Sequence, residues 1–293
     1  MARIAVVGSI NMDLVVETDI MPKKGETVLG NHFFTSPGGK GANQAVAAAR
    51  LGGNVTMFGS VGIDQNGENL RAILKEEGVE TAFINIVEGI ATGVAIIEIC
   101  EHDNRIIVAS GANQYTNLEY LTNVSKELLN YDVILLQHEI PLESIEYIAN
   151  FLSIYNKTII LNPAPAFALS DEILKCITYI TPNEHEYKMV LNTSDPMDEV
   201  LKRYPNKLLI TRGEEGVTYC DGTNIITVPS INVEIVDTTG AGDTFTGAFG
   251  VAISEGQDLI EAIHFANCAA GLSITKMGAQ KGMPTLDEVL KIR

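Results

Sequence analysis

The chain has 293 residues, of which 46% are hydrophobic, and it can form one large α/β domain or two small ones. Its formal net charge of -17, from 37 acidic and 20 basic residues, excludes the broad basic surface that nucleic acid or an anionic membrane requires. A polyanionic ligand would have to be held locally, by backbone amides and metal ions. We therefore predict no nucleic-acid partner and no membrane partner.

The amino-terminal region lacks the basic stretch, apolar stretch and small-residue cleavage site of an export signal, because a strand pattern begins at residue 3. No run of about eighteen apolar residues indicates a membrane span. The four cysteines form no CxxC pair and the five histidines form no HExxH motif. These features predict a cytoplasmic protein with reduced thiols and do not support a zinc site.

Short β-branched runs alternate with helical patterns through most of the chain. Buried strands are predicted at residues 4–7, 55–58, 133–136, 158–161, 179–180 and 208–210. Helices are predicted at residues 42–51, 66–77, 142–155 and 184–191 and, where the alternation stops, at 241–255 and 259–276. The pattern predicts an α/β fold with a mostly parallel, Rossmann-like central sheet flanked by helices.

Two segments do not follow this alternation, because each has the pattern of strands and turns without a crossover helix. One covers residues 14–34, and the other covers residues 94–109 with a turn at 102–104. We predict that residues 13–36 and 92–110 form a small β-sheet lid on the domain 1–293, with an apolar side that could serve a homodimer. The alternative is a pair of ordinary hairpins on a single domain.

The first polar motif follows the first predicted strand. Asn11 and Asp13 lie at the carboxyl end of that strand, where open α/β sheets collect ligand groups. Together they can donate hydrogen bonds to vicinal hydroxyls and accept hydrogen bonds from them. Asn and Asp also make turns, so this pair alone leaves both interpretations open.

A glycine-rich segment, PGGKGANQ at residues 37–44, leads into the first predicted helix. Its glycines let a ligand lie against the backbone, and Lys40 and Asn43 offer side-chain donors. It is not a Walker A loop, because Gly41 stands where that motif requires Ser or Thr. GSIN after the first strand is not a GxGxxG fingerprint either, which disfavours a nicotinamide-dependent oxidoreductase.

Further polar residues follow the later strands. Glu139 and Asn162 come after the strands predicted at 133–136 and 158–161, again at carboxyl ends. Asn183 and Glu186 are three residues apart at the start of a predicted helix. This spacing fits a capping box, and it also fits an amide and a carboxylate beside magnesium-bound phosphates. Taken by itself, the spacing favours the cap.

The most informative segment is VDTTGAGDTF at residues 236–245, which runs directly into a helix. Gly240 and Gly242 permit backbone angles that turn consecutive amides toward one point, at the positive end of the helix dipole. Asp243 would repel an anion bound there unless it takes a proton, so we interpret it as a general base beside a phosphoryl-transfer site. The plainer alternative is an acidic residue that stabilises the first helical turn.

Together these motifs resemble the ribokinase/phosphofructokinase-B family of sugar kinases over essentially the whole chain. The resemblance is carried by GSINMD (8–13), PGGKGANQAVAAARLG (37–52), VGIDQNG (61–67), LNPAPA (161–166), TPNEHE (181–186) and VDTTGAGDTFTGAF (236–249). It implies ATP-dependent phosphorylation of D-ribose at its 5-hydroxyl. The alternatives are a kinase of another pentose or a nucleoside in the same family and, in a different class, a non-catalytic sugar- or nucleotide-binding regulator.

The resemblance also implies roles for individual residues. Asp243 would be the base, and Gly240, Ala241 and Gly242 would present amides to the transferring phosphate. The family's ribose contacts match Asn11, Asp13, Gly39, Lys40, Asn43, Glu139 and Asp243. Its nucleotide contacts match Asn183, Thr211, Gly213, Glu214, Gly216, Gly242 and Asn267.

Metal ions and assembly are implied in the same way. Glu186 matches the family's magnesium-associated residue. A potassium site would be formed by Asp237, Thr239, Ser273, Lys276, Gly278 and Gly282, mainly through backbone oxygens. The expected ligands are therefore ATP, D-ribose, Mg²⁺ and K⁺, in a cytoplasmic homodimer that associates through the lid.

Overall fold

A computed structural model of the protein describes residues 3–100 and 103–292. The strands are β1 (Arg3–Val7), β2 (Asn11–Glu17), β3 (His32–Gly38), β4 (Asn54–Gly62), β5 (Ile84–Val87), β6 (Gly93–Cys100), β7 (Asp103–Ala109), β8 (Val133–Gln137), β9 (Thr158–Asn162), β10 (Tyr179–Ile180), β11 (Ile210–Thr211), β12 (Val217–Cys220) and β13 (Ile225–Val228). The predicted turn at 102–104 lies partly outside the described residues, at position 102.

The helices are α1 (Lys40–Arg50), α2 (Gln65–Glu76), α3 (Leu118–Leu128), α4 (Leu142–Ser153), α5 (Asp171–Cys176), α6 (Tyr187–Val190), α7 (Met197–Arg203), α8 (Ala241–Ser254), α9 (Leu259–Ser273), α10 (Ala279–Gly282) and α11 (Leu286–Leu290). Two short 3₁₀ turns lie at Gly111–Tyr115 and Gly213–Glu215. Within the described residues, none of these helices is long and apolar enough to span a bilayer.

The central sheet has six strands in the order β10-β9-β8-β1-β4-β5, and every neighbouring pair is parallel. Successive side chains of a strand point to opposite faces, so each strand contributes to two cores. Ile4 and Val6 of β1 pack with α1, α8 and α9, whereas Ala5 and Val7 pack with α3 and α4. Burial on both faces explains why these strands are continuous apolar runs.

The predicted α/β class and parallel sheet are confirmed, with two differences in detail. Residues 208–210 do not form a regular strand of the central sheet, because Leu208 makes only an isolated parallel bridge to Ile180. The chain then enters β11, which belongs to a separate antiparallel sheet β11-β12-β13. The helix predicted at 184–191 is reduced to α6, because the residues before it form a turn.

A separate four-stranded sheet has the order β3-β2-β6-β7, with β2 and β6 parallel and the outer pairs antiparallel. The sheet is formed by the two segments, around residues 13–36 and 92–110, that do not follow the alternation of strands and helices. Only residues 8–10 join β1 to β2, and only Gly39 joins β3 to α1. Several of its large apolar side chains are exposed, including Phe33, Ile106 and Ile107.

Candidate functional site

Polar side chains from distant parts of the chain meet at the carboxyl ends of β1, β8 and β9. Asn11 begins β2 directly after β1, Glu139 follows β8, and Asn162 is the last residue of β9. These strands are adjacent and parallel, so their carboxyl ends share one edge of the sheet. The first turns of α1 and α8 reach the same edge, and the two helices bring Asn43 and Asp243 into hydrogen-bonding contact.

The start of α1 is held against β1 by glycines and by one glutamate. Gly39 has a φ of 88°, and a Cβ on it would lie 2.7 Å from the backbone nitrogen of Asn11. Glu139 Oε2 accepts hydrogen bonds from the Lys40 backbone N–H at 3.0 Å and from the Ser9 hydroxyl at 2.6 Å. The position of Glu139 is therefore fixed relative to α1.

The carboxylates and Lys40 at this edge of the sheet influence each other's ionisation. Burial, together with the negative charges of Glu139 and Asp243, raises the pKa of Asp13 to about 7. The pKa of Lys40 is raised chiefly by Asp243, with further contributions from Glu139 and Glu186 that together outweigh the effect of burial. This combination of acceptors and one donor cation suits a neutral ligand with several hydroxyl groups.

Asp243 lies in the first turn of α8 and is only 5% exposed. Its Oδ2 accepts a hydrogen bond from Asn43 Nδ2 at 3.0 Å, and its Oδ1 accepts one from Gln44 Nε2 at 3.1 Å. Each carboxylate oxygen has lone pairs beyond the one already used. Asp243 is thus oriented by α1 and can still accept a proton from a ligand hydroxyl.

Asn11 is oriented by a residue that the sequence analysis missed. Asn113, in the 3₁₀ turn after β7, donates from Nδ2 to Asn11 Oδ1 at 2.7 Å. The same side chain accepts from the Ile10 backbone N–H at 2.9 Å, which fixes the orientation of its amide. Asn113 is more than 100 residues from Asn11, and no motif in the sequence marks it.

A pocket of about 600 Å³ lies on the other side of the α8 start. Gly240 has a left-handed φ of 79°, and a Cβ on Gly242 would meet no atom within 4 Å. Six of the seven predicted nucleotide contacts line this pocket: Thr211, Gly213, Glu214, Gly216, Gly242 and Asn267. The amide of Asn267 donates to the carbonyls of Val228 and Pro229, so it also anchors the end of β13.

Asn183, the seventh predicted nucleotide contact, is not among the described residues that line this pocket. Its Oδ1 accepts from the Glu186 backbone N–H at 2.9 Å, and Glu186 Oε2 accepts from the Asn183 backbone N–H at 2.9 Å. This reciprocal pair is the hydrogen-bonding pattern of a capping box. It occupies one oxygen of Glu186 and leaves the other available, and Glu186 is close enough to influence the charge of Lys40.

The predicted potassium residues converge on a loop beside the α8 start. Asp237 accepts hydrogen bonds from the Thr239 backbone and hydroxyl at 2.9 and 2.6 Å, and from the Gly278 backbone at 2.8 Å. Burial opposes ionisation of Asp237, but these hydrogen bonds outweigh it and lower the pKa of the carboxyl. A Cβ on Gly282 would meet the carbonyl oxygen of Ser273, so these backbone segments touch.

This loop offers mainly oxygen atoms, which suits a hard monovalent cation. The side chain of Lys276 does not contribute, because its ammonium group pairs with Glu288 at 3.1 Å. Only the backbone of Lys276 could therefore contribute to the predicted potassium site. Across residues 3–100 and 103–292, no group of three or more His, Cys, Asp and Glu side chains has the arrangement of a metal site.

A second pocket, of about 450 Å³, adjoins the carboxylate cluster at Glu139. Its other walls are mostly apolar and include Val108 of β7, Leu142 of α4 and Phe167. The pocket therefore extends from the polar cluster toward the four-stranded sheet, with room for an apolar group attached to a polyhydroxyl ligand.

Comparison with known proteins gives consistent matches over the full length. A model of the pfkB family of carbohydrate kinases matches residues 1–286. A ribokinase of Bacillus subtilis (strain 168) is 48% identical over 289 residues, covering 99% of this chain and 98% of that protein.

Solved structures agree with this result. The crystal structure of a ribokinase from Thermotoga maritima has a TM-score of 0.91 and 34% identity, covering 99% of both chains. The structure of Arabidopsis thaliana ribokinase complexed with ribose and ATP has a TM-score of 0.91 and 32% identity, covering 99% of this chain and 98% of that chain. The resemblance predicted from the motifs is confirmed.

Proposed function

The chain belongs to the pfkB family of carbohydrate kinases, and on that premise we propose that it transfers the γ-phosphoryl group of ATP to the 5-hydroxyl of D-ribose. The main observation in support of this proposal is the contrast between two adjacent residues. Gly242 lines the 600 Å³ pocket, whereas Asp243 is hydrogen-bonded into the polar cluster on the opposite side of the chain. ATP in the pocket and a sugar in the cluster would therefore meet at the start of α8.

Asp243 is the proposed general base. Phosphoryl transfer has a loose transition state, so catalysis depends mainly on alignment and on stabilising charge at the phosphoryl oxygens. Asp243 accepts the proton of the attacking hydroxyl, a contribution of roughly 10² to 10⁴ in rate. The backbone amides of Gly240, Ala241 and Gly242, at the amino end of α8, stabilise the negative charge of the transferring group.

Ribose is the proposed acceptor because the cluster combines hydrogen-bond acceptors with donors for several hydroxyl groups. Asp13 and Asn11 bind the vicinal hydroxyls, while Lys40 and Glu139 bind the remaining polar atoms of the sugar. The relatives named ribokinase, including one at 48% identity, support the choice of sugar. Nucleotide binding uses Thr211 and the glycines of the 213–216 turn, with the remaining predicted contacts at Asn183, Glu214 and Asn267.

Two cations complete the proposed site. Mg²⁺ would be associated with Glu186 and the nucleotide phosphates, since Mg²⁺ is commonly held by one or two carboxylates together with substrate oxygens. It would neutralise the charge of the phosphates. K⁺ would bind the oxygen-rich loop of Asp237, Thr239, Ser273, Lys276, Gly278 and Gly282. There it would stabilise the turn that precedes α8 without contacting the sugar.

The four-stranded sheet is the proposed lid, and a second copy of the chain is its proposed partner. Ile96 and Ile107 are paired across β6 and β7, and both are exposed, as is Phe33 of β3. Contiguous exposed apolar surface of this kind is typical of an interface. Free thiols at Cys100, Cys176 and Cys220 fit a reducing compartment, and we propose the cytoplasm as the location.

The test is ADP production in a coupled assay with D-ribose, 2-deoxy-D-ribose, other pentoses and nucleosides, with K⁺ or Na⁺ as the only monovalent cation. We expect the highest kcat/KM with D-ribose. The Asp243→Asn variant should still bind ribose and ATP in calorimetry, but its kcat should be lower by a factor of roughly 10² to 10⁴. Near-normal turnover of this variant would exclude the base role.

A nucleoside acceptor is the second candidate, and the 450 Å³ pocket favours it. A base attached to the sugar would need an apolar space beside Glu139, and Val108, Leu142 and Phe167 provide one. Higher kcat/KM with a nucleoside than with D-ribose would establish this alternative. Binding of sugar and ATP without any ADP production would instead indicate a non-catalytic regulator.

A further inference from the structure

Behind Asp243 lies a buried network of side-chain amides, of which only Asn43 was a predicted site residue. Asn43 and Gln44 donate directly to the two oxygens of Asp243. Each of these amides is itself held by a second one. Gln280 Nε2 donates to Asn43 Oδ1 at 3.1 Å, and Gln137 Nε2 donates to Gln44 Oε1 at 2.7 Å.

The direction of each amide matters because a side-chain amide has a donor end and an acceptor end. If Asn43 or Gln44 turned over, its oxygen would face the carboxylate and repel it. The outer glutamines oppose this, since the inner carbonyls accept their N–H groups, and Asn162 Oδ1, which accepts from Gln44 Nε2 at 3.3 Å, favours the same orientation of Gln44. Among the described residues, Gln137 Oε1 and Gln280 Oε1 have no hydrogen-bond partner although both are buried.

Buried polar atoms without partners are unfavourable and tend to occur where function requires them. The four amide side chains are at most 7% exposed, so solvent does not hold them in place. We infer that Gln137 and Gln280 are positioning residues for catalysis, which act on Asp243 through Gln44 and Asn43. This inference rests on the proposed role of Asp243 as the base.

The two arms of the network should differ in their kinetic effect. Gln44 is not a predicted sugar contact, so the Gln137 arm should influence only the base. Asn43 is a predicted sugar contact as well as a partner of Asp243, so the Gln280 arm should influence both the base and the sugar. Loss of Gln137 should therefore lower kcat at unchanged ribose affinity, and loss of Gln280 should also weaken ribose binding.

The first experiment is a double-mutant cycle between positions 44 and 137, with kcat as the readout. Methionine approximates the length of glutamine but lacks the amide, so we expect Gln137→Met and Gln44→Met each to lower kcat about tenfold or more. Because Gln137 acts through Gln44, adding Gln137→Met to Gln44→Met should lower kcat less than twofold further. Effects that multiply in the double variant would overturn the inference.

A pH profile separates positioning from simple support of the fold. In Gln137→Glu the introduced carboxyl can donate to Gln44 Oε1 only while it is protonated. Its kcat per folded enzyme, relative to wild type, should therefore rise as pH falls, whereas a purely structural role changes the folded fraction and leaves kcat per folded enzyme at a constant ratio. If Gln137→Met does not fold, this nearly isosteric variant provides the same test.

Calorimetric titration with D-ribose tests the second arm. We expect Gln280→Met to weaken ribose binding about tenfold or more and Gln137→Met to leave it within twofold. Equal effects of the two variants on ribose binding would overturn the assignment of separate arms. Gln257→Met is the matched control, because Gln257 also has a buried carbonyl without a partner but donates to Glu255, remote from Asp243.

The same measurements distinguish this inference from the proposed function. Wild-type turnover with D-ribose tests the function, and the cycle is run with whichever sugar of the panel gives the highest turnover. A wild-type enzyme that is active while Gln137→Met retains full kcat at every pH would contradict the positioning role alone.

Discussion

The helices α1 and α8 begin in the same way and pack against each other, but their first turns face different surroundings. Each follows a glycine with positive φ, 88° at Gly39 and 79° at Gly240, and neither has a side-chain cap. At the start of α1, Gly41 has no Cβ and so lets neighbouring backbone approach closely. A Cβ on Gly41 would lie 2.6 Å from the Ser9 nitrogen. At Gly242 it would meet no atom within 4 Å.

Glycine-rich sequences at the starts of two helices can therefore serve two different purposes. Glycines before α1 allow backbone to touch backbone and so set the position of Lys40 and Asn43. At the start of α8, Gly242 leaves the backbone open toward the 600 Å³ pocket, whereas a Cβ on Gly240 would lie 2.9 Å from the Cβ of Ala279. Substitution should therefore affect stability at Gly41 and activity at Gly242.

The largest expected effect is on the free energy of unfolding and comes from Asp13, near the start of α1. Its carboxylate occupies the space beside Gly38. The pKa of Asp13 is about 7 in the folded protein against 3.8 ordinarily, so the folded state binds more protons between these values. The free energy of unfolding should fall as pH rises from about 4 to about 7. Asp13→Asn should remove this fall, which for such a shift is on the order of 4 kcal/mol. Urea unfolding of the wild type and of Asp13→Asn at several pH values measures this difference. If the free energy of unfolding had the same slope against pH in both proteins, the raised pKa of Asp13 would be contradicted.

Gly41→Ala tests the packed start directly. The added methyl group would meet the backbone of Gly8 and Ser9, neither of which can move without displacing β1. We expect the free energy of unfolding to fall by about 1 to 3 kcal/mol. Urea denaturation measures it, and an unchanged midpoint would remove the proposed difference between the two helix starts.

Gly242→Ala is the matched change at the open start. Alanine is the better helix former, so the free energy of unfolding should stay equal or rise by up to about 1 kcal/mol. The methyl group would occupy space from which the proposed phosphate would reach the backbone, so kcat/KM for ATP should fall about tenfold. A stability loss as large as that of Gly41→Ala would show that packing, not ligand access, requires Gly242.

The smallest effect is expected at the loop beside α8. The Lys276–Glu288 pair is about half exposed, and such pairs contribute about 0 to 1 kcal/mol. Lys276→Met should therefore change stability little and leave any dependence of kcat on K⁺ unchanged, because the proposed cation site would use only the backbone of this residue. Loss of the K⁺ dependence in a titration would place the side chain in the site.

Patterns local in sequence predicted most of the fold. Buried strands such as β1 and β8 are continuous apolar runs, and α1 and α8 follow recognisable glycine motifs. The sequence analysis missed the short strands β5, β12 and β13, each of four residues, and the helices α3, α5, α7, α10 and α11. It extended the α6 helix too far, because Asn183 and Glu186 form a closed turn ahead of it.

The candidate site was predicted where its residues belong to compact motifs. The structure brings Lys40 and Asn43 of one motif close to Asp243 of another, and the ligand roles of these residues stay predictions. The supporting amides could not be predicted, because Gln280 and its partner Asn43 are 237 residues apart and a lone glutamine carries no pattern. Only the adjacency of Gln44 to Asn43 offered a signal, since both lie in the first turn of α1.

The four-stranded sheet is joined to the rest of the protein by very short connections, which limits how it could be exchanged between relatives. Three residues separate β1 from β2, and a single glycine separates β3 from α1. Asn11 and Asp13 lie on the sheet, whereas Lys40 and Asn43 lie on the main domain. A chimera that exchanged this sheet for that of a relative would import two of the seven predicted sugar contacts with it. Part of the proposed acceptor specificity would then be inherited together with this sheet, as one module.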